Sequence, residues 1–179
     1  LDKQVGKDNY TVFLTADHAV ANIPGYNIKH QIPAGISSEG AFKNEIGSML
    51  SAKGYNANLI NFIGEGNIYF NHPLMDSLHI NQENVFELVS QFLEKKPDVL
   101  QIVNARKAAS APIPAPLRER IVNGFNAQRS GDMVIIYKSG YVAGSPTGTG
   151  HGTFYNYDAH IPLLFFGTGI KKISASARI

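Results

Sequence analysis

Among its 179 residues the chain has no cysteine and no tryptophan. Without thiols there can be no disulfide framework, thiolate metal site or cysteine nucleophile, so any metal must be held by histidine, carboxylate or hydroxyl groups. Charge of a dominant sign is also missing. Sixteen Lys and Arg stand against 14 Asp and Glu, a formal net charge of +2, which gives no broad basic face for nucleic acid or an anionic membrane surface. No apolar run approaches the ~20 residues that span a bilayer. Hydrophobic residues make up 44% and charged residues 17%, the balance of a chain that builds a core instead of staying disordered.

Two apolar runs lie near the two ends. Tyr10-Thr11-Val12-Phe13-Leu14-Thr15-Ala16 is a nearly continuous series of β-formers, and Ile161-Pro162-Leu163-Leu164-Phe165-Phe166 is another, stopped by Gly167 and Gly169. Continuous runs without alternation predict strands buried on both faces, as in parallel sheets. The stretch between them has a different texture. Phe42, Ile46, Met49 and Leu50 follow helical spacing, with Gly54 placed to stop the helix. Residues 58–63 and 67–71 flank Gly64-Glu65-Gly66, a hairpin pattern. Asn81 caps a helix bearing Val85, Val89, Phe92 and Leu93 on one face, with Ile80 and Val85 as a staple. Strands follow at 99–103 and 133–137, with a helix carrying Leu117, Ile121, Val122 and Phe125 between them. Helices against several short strands predict a small α+β layer, and a ferredoxin-like arrangement is among those the pattern allows.

Chemistry has two candidate places. Asp17-His18 ends the first apolar run, where loops at strand ends carry polar groups over a rigid floor. Adjacent strand side chains point to opposite sides, so the pair converges on one ion only if the backbone turns there; otherwise it is a turn acid beside a surface histidine. His151 lies in Ser145-Pro146-Thr147-Gly148-Thr149-Gly150-His151-Gly152-Thr153, where flanking glycines either aim an imidazole into a crowded site or simply make a flexible loop. His30, His72 and His79 read as structural or solvent-facing, and His160 as a packing residue or a support for a site. No H-E-x-x-H, G-x-S-x-G or P-loop pattern is present.

Taken together, Val12-Phe13-Leu14-Thr15-Ala16-Asp17-His18 and the distant His151-Gly152-Thr153-Phe154-Tyr155-Asn156-Tyr157-Asp158-Ala159-His160-Ile161-Pro162-Leu163 resemble the alkaline phosphatase superfamily. Within it they resemble the PafA-type alkaline phosphatases and their nucleotide pyrophosphatase/phosphodiesterase relatives. Arg129-Ser130-Gly131-Asp132 before a strand resembles the same branch, and the likeness covers most of the chain. It implies a two-zinc site in the intact enzyme, with Asp17 and His18 on the metal that contacts the nucleophile and His151 on the other. It departs in Ala19, where family members usually carry glycine.

The resemblance further implies that the nucleophilic Thr or Ser, the remaining ligands and the residues setting ester preference precede the segment like Asp17-His18. The expectation is therefore a C-terminal piece of a zinc-dependent phosphate monoesterase acting through a phospho-enzyme intermediate. The piece itself would be inactive, hold no catalytic residue and be able to stay metal-free. A phosphodiesterase is the enzymatic alternative, and a non-catalytic binding or assembly module the other. The implied partner is a small phosphate ester, with no nucleic acid and no membrane span, and the implied location is periplasmic or secreted. The fold expected is α/β: part of an alkaline-phosphatase-like parallel sheet (1–27 and 139–179) carrying an inserted α+β subdomain (28–138), with self-association through exposed strands.

Overall fold

The computed structural model describes residues 1–174; the last residues of the expected 139–179 segment, 175–179, lie outside the described residues. In chain order the elements are α1 (Asp2–Val5), β1 (Thr11–Leu14), α2 (Pro24–Lys29), β2 (Gly35–Ser37), α3 (Glu39–Ala52), β3 (Ile60–Gly64), β4 (Asn67–Phe70), α4 (His72–Ser77), α5 (Gln82–Leu93), β5 (Val99–Asn104), α6 (Ala115–Gly124), β6 (Met133–Tyr137), β7 (Tyr141–Ala143), α7 (Asn156–Ala159) and β8 (Leu164–Gly167).

Local sequence explains the main helices. Helix α3 starts at Ser38, whose hydroxyl accepts from the Ala41 N–H at 3.4 Å. It ends where Gly54 takes φ +80°, so that the Gly54 N–H reaches the Ser51 carbonyl and the Tyr55 N–H reaches that of Leu50, both at 3.0 Å. Helix α5 starts at Asn81, which accepts from the Glu83 N–H at 2.8 Å, and it buries Val85, Val89 and Leu93 completely. Strands β3 and β4 join through Glu65 (φ 52°) and Gly66 (φ 72°), the two left-handed residues that a tight hairpin with matching twist requires. The Glu39 carboxylate clips this turn, accepting the Glu65 and Gly66 N–H groups at 3.1 and 2.7 Å and the Tyr137 hydroxyl at 3.0 Å.

The central sheet has strand order β3-β4-β6-β5, every neighbour antiparallel. Strand β6 shows how the layer is built. Alternation sends Met133, Ile135 and Tyr137 into a core with α3 and α5 on one face. Val134 and Ile136 go into a second core with Leu117 and Ile121 of α6 on the other face. The α+β layer and its three expected helices, α3, α5 and α6, are present. Val122, expected on the apolar face of α6, is 41% exposed.

The two outer runs differ from expectation. Strands β1 and β8 pair with each other antiparallel, Thr11 opposite Gly167 through Leu14 opposite Leu164, whereas parallel neighbours were expected. They form a separate two-stranded ribbon, exposed along nearly its whole length. The physical reason is that apolar runs are buried only where other elements lie over them. Among the described residues the parallel pairing is that of β2 with β7.

Candidate metal-ligand site

The ribbon's antiparallel pairing brings the loop after β1 beside the loop before β8. Backbone bonds zip the two together: the Ala19 N–H donates to the Asp158 carbonyl, Ala21 to Gly150 and Gly25 to Pro146, each at 2.9 Å. The Thr149 hydroxyl donates to the Ala21 carbonyl. As a result the imidazoles of His18 and His151, from opposite ends of the chain, stack with ring centroids 3.9 Å apart and planes 21° apart.

Strand β1 ends at Leu14, so Asp17 and His18 lie past the strand, where they are free to converge. Asp17 Oδ1 accepts the His18 backbone N–H at 3.0 Å, and Asp17 Oδ2 stands 3.8 Å from His18 Nε2. Two donors on one tetrahedral zinc, each about 2.1 Å from the ion, are separated by about 3.4 Å, so this pair is set close to chelating distance. His18 Nδ1 lies 2.7 Å from the Ala19 carbonyl, which only accepts, so a neutral ring carries its proton on Nδ1 and offers the Nε2 lone pair. The side chain of Asp17 is 90% exposed. The donor set thus fits a share of a divalent metal site. Among the described residues no three of His, Cys, Asp and Glu converge as one metal-holding group.

The His151 loop is held from the α+β layer. Phe154 packs against the core under α6, and the Arg120 guanidinium donates to the Phe154 carbonyl and, at 3.0 Å, to Asn156 Oδ1. The Tyr155 hydroxyl donates to the Tyr137 carbonyl at 2.8 Å, and burial pushes the Tyr155 pKa up. The Gly140 N–H donates to the Tyr157 hydroxyl at 3.1 Å.

Other histidines lie elsewhere. His72 bridges α4 and β6 through the Asp132 carboxylate at 2.9 Å, and His30 stacks on Tyr26. His160, read from sequence as packing or support, is exposed at the end of α7, where its backbone N–H donates to the Asn156 carbonyl at 2.8 Å and closes the one-turn helix. Sequence reasoning missed Asp158, which is 3% exposed and accepts the Thr153 N–H at 2.5 Å through Oδ2. Its signal was an acid between aromatics in a stretch otherwise leading into a strand.

The α/β fold is similar to part of the fold of alkaline phosphatases. The crystal structure of wild-type alkaline phosphatase PafA superposes with a TM-score of 0.91 at 37% identity, covering 98% of this chain and 34% of that one. In sequence the chain is 39% identical over 173 residues to alkaline phosphatase PafA of Elizabethkingia meningoseptica, matching 96% of this chain and 32% of the relative. It is 33% identical over 173 residues to a protein of Myroides odoratus named calcium-transporting ATPase, with the same coverage. It is 32% identical over 174 residues to alkaline phosphatase PhoV of Synechococcus elongatus, matching 96% of this chain and 30% of the relative. The chain spans about a third of the length of these curated relatives. No protein-family model matches it.

Proposed function

We propose that this chain is a third, bearing part of the metal-ligand set, of a secreted or periplasmic phosphoric ester hydrolase, a phosphate monoesterase using two zinc ions. The observation that carries the reading is the stacking of His18 on His151 beside Asp17, from motifs far apart in sequence. The names of the relatives support it: two are alkaline phosphatases and the third an ATPase. Asp17 Oδ2 and His18 Nε2 would hold one ion and His151 the other, and ions so held would supply charge stabilisation and activation of a hydroxyl. The chain's own part is positional. Ala19 fixes the His18 tautomer through its carbonyl, the paired loops fix the spacing, and Tyr155, Tyr157 and Arg120 tie the His151 loop to a rigid layer.

The nucleophile comes from outside this chain in the proposed enzyme. Of the hydroxyls near His151, that of Thr149 is donated to Ala21 and that of Thr153 is buried. The isolated chain should therefore not turn over an aryl phosphate. The test is a chimera in which this chain replaces the matching third of PafA. It should hydrolyse an aryl phosphate and bind zinc, and His151→Ala should lower both zinc content and rate, the rate by at least about 100-fold, since even outer-shell partners of metal ligands cost up to that. Wild-type zinc and rate in the His151→Ala chimera would refute the assignment. Comparing aryl phosphate with bis-aryl phosphate on the chimera decides between monoesterase and phosphodiesterase.

A further inference from the structure

Asp158 is a carboxylate almost wholly removed from water, in a one-turn helix, with no cation among its hydrogen-bond partners. Its backbone carbonyl accepts the Ala19 N–H at 2.9 Å, one residue past His18. Its Oδ2 accepts the Thr153 N–H at 2.5 Å, two residues past His151. Both ligand loops are thus fastened to one residue. The other carboxylate oxygen, Oδ1, and the Thr153 hydroxyl are both buried without a hydrogen-bond partner. A buried acid with half its capacity unmet is a net cost to folding, so its placement is better explained by what it positions than by stability.

We propose that Asp158 is a positioning residue that holds the His18 and His151 loops in register, setting the spacing of the imidazoles. Its functional meaning rests on the reading of those histidines as metal ligands; the clamp itself is a geometric property of the chain. The side chain reaches only the His151 loop, through the Thr153 N–H, while the main chain of the same residue reaches the His18 loop. Removing the carboxylate therefore frees the His151 loop to turn without unpairing Ala19.

The test uses the full 179-residue chain and the NMR signals of the His18 and His151 ring protons at constant pH. Stacked rings shift each other's signals, so His151→Ala defines where the His18 signal falls when the stack is lost. In Asp158→Ala the His18 signal should move to that position, while the amides of α5 keep their hydrogen-exchange protection. Asp158→Asn, which keeps an acceptor for the Thr153 N–H, should restore the wild-type position. An unmoved His18 signal in Asp158→Ala overturns the proposal. Loss of α5 protection in that variant overturns it too, because Asp158 would then be supporting the layer and not the loops. Failure of Asp158→Asn to restore the stack overturns the hydrogen-bond basis. Zinc titration reads the functional claim separately. In the chimera, where the remaining ligands are present, Asp158→Ala should weaken zinc binding about 10–100-fold, the scale of an outer-shell loss. Unchanged zinc binding in the Asp158→Ala chimera refutes the functional claim and leaves the stacking result standing.

Discussion

Strand β6 and the β1–β8 ribbon are made of the same kind of residues and end in opposite environments. Met133-Val134-Ile135-Ile136-Tyr137 is buried at every position, whereas Phe13 and Phe166 are each 68% exposed. The difference is cover: α3 and α5 lie on one face of β6 and α6 on the other, while among the described residues β1 and β8 form a two-stranded ribbon by themselves. An apolar run states what environment a strand suits, and the rest of the sheet decides what it receives. The His18 and His151 loops grow from the poorly covered ribbon, yet the His151 loop is tied to the well-covered layer. Placement of the His18–His151 stack thus borrows rigidity from a region that supplies neither ring.

The largest expected effect would break this contrast if absent. Leu93→Ala removes a fully buried side chain and should cost about 2–5 kcal/mol by urea denaturation, the range for Leu-to-Ala cavities. Phe92, which the helical face had placed in the core, is only half-buried; Phe92→Ala should fall below the ~3–5 kcal/mol of a buried phenylalanine. Hydrogen exchange gives the same contrast without mutation. Amides of Val85–Leu93 should exchange through global unfolding, and those of Val12–Leu14 by local opening, orders of magnitude faster. Equal protection would mean that the ribbon folds as one unit with the layer.

Much of the layer was legible because its signals are local. The spacing of Phe42, Ile46 and Leu50, Gly54 past the helix end, Asn81 at a cap and Glu65-Gly66 at a turn each act within a few residues, and each is where expected. Helix α4 was missed although Asn71 before His72-Pro73 is a start signal, Asn71 Oδ1 accepting the Leu74 N–H. The three-residue strands β2 and β7 carry too little pattern to be read at all. The proposed ligands Asp17, His18 and His151 were singled out by their order along the chain, and the fold stacks His18 on His151. Asp158 was not, because its role depends on Ala19 and Thr153 meeting at one point.

Intermediate effects sharpen how the layer is locked. Burial first, then the Glu39 charge beside it, raises the Tyr137 pKa above its ordinary value of 10.0. A tyrosine held neutral contributes stability that is fully present below the unfolded pKa of about 10 and is lost as pH rises toward the folded value. Tyr137→Phe should therefore cost about 1.5–3 kcal/mol near neutrality, the scale of a hydrogen bond to a charged group, and make the alkaline decline above pH ~10 shallower. Urea titrations at neutral and alkaline pH check both; an unchanged alkaline limb would assign that limb to other groups. Asn81→Ala should cost about 1 kcal/mol through loss of the α5 cap, read by thermal melting.

The smallest effect tests the other side of the contrast. Phe13 projects from a strand exposed at all four of its positions, so Phe13→Ser gives up little buried area, and surface substitutions usually stay within about 0.5 kcal/mol. Serine is also a poorer strand former, which weakens the ribbon locally. That local loss should leave the urea midpoint unchanged, because the ribbon opens below the free energy at which the layer unfolds. It should appear instead as faster exchange of the amides facing Phe165, the cross-strand partner of Phe13. A Phe13→Ser midpoint shift as large as that of Leu93→Ala would place the ribbon inside the cooperative core and remove the distinction between a covered and an uncovered strand.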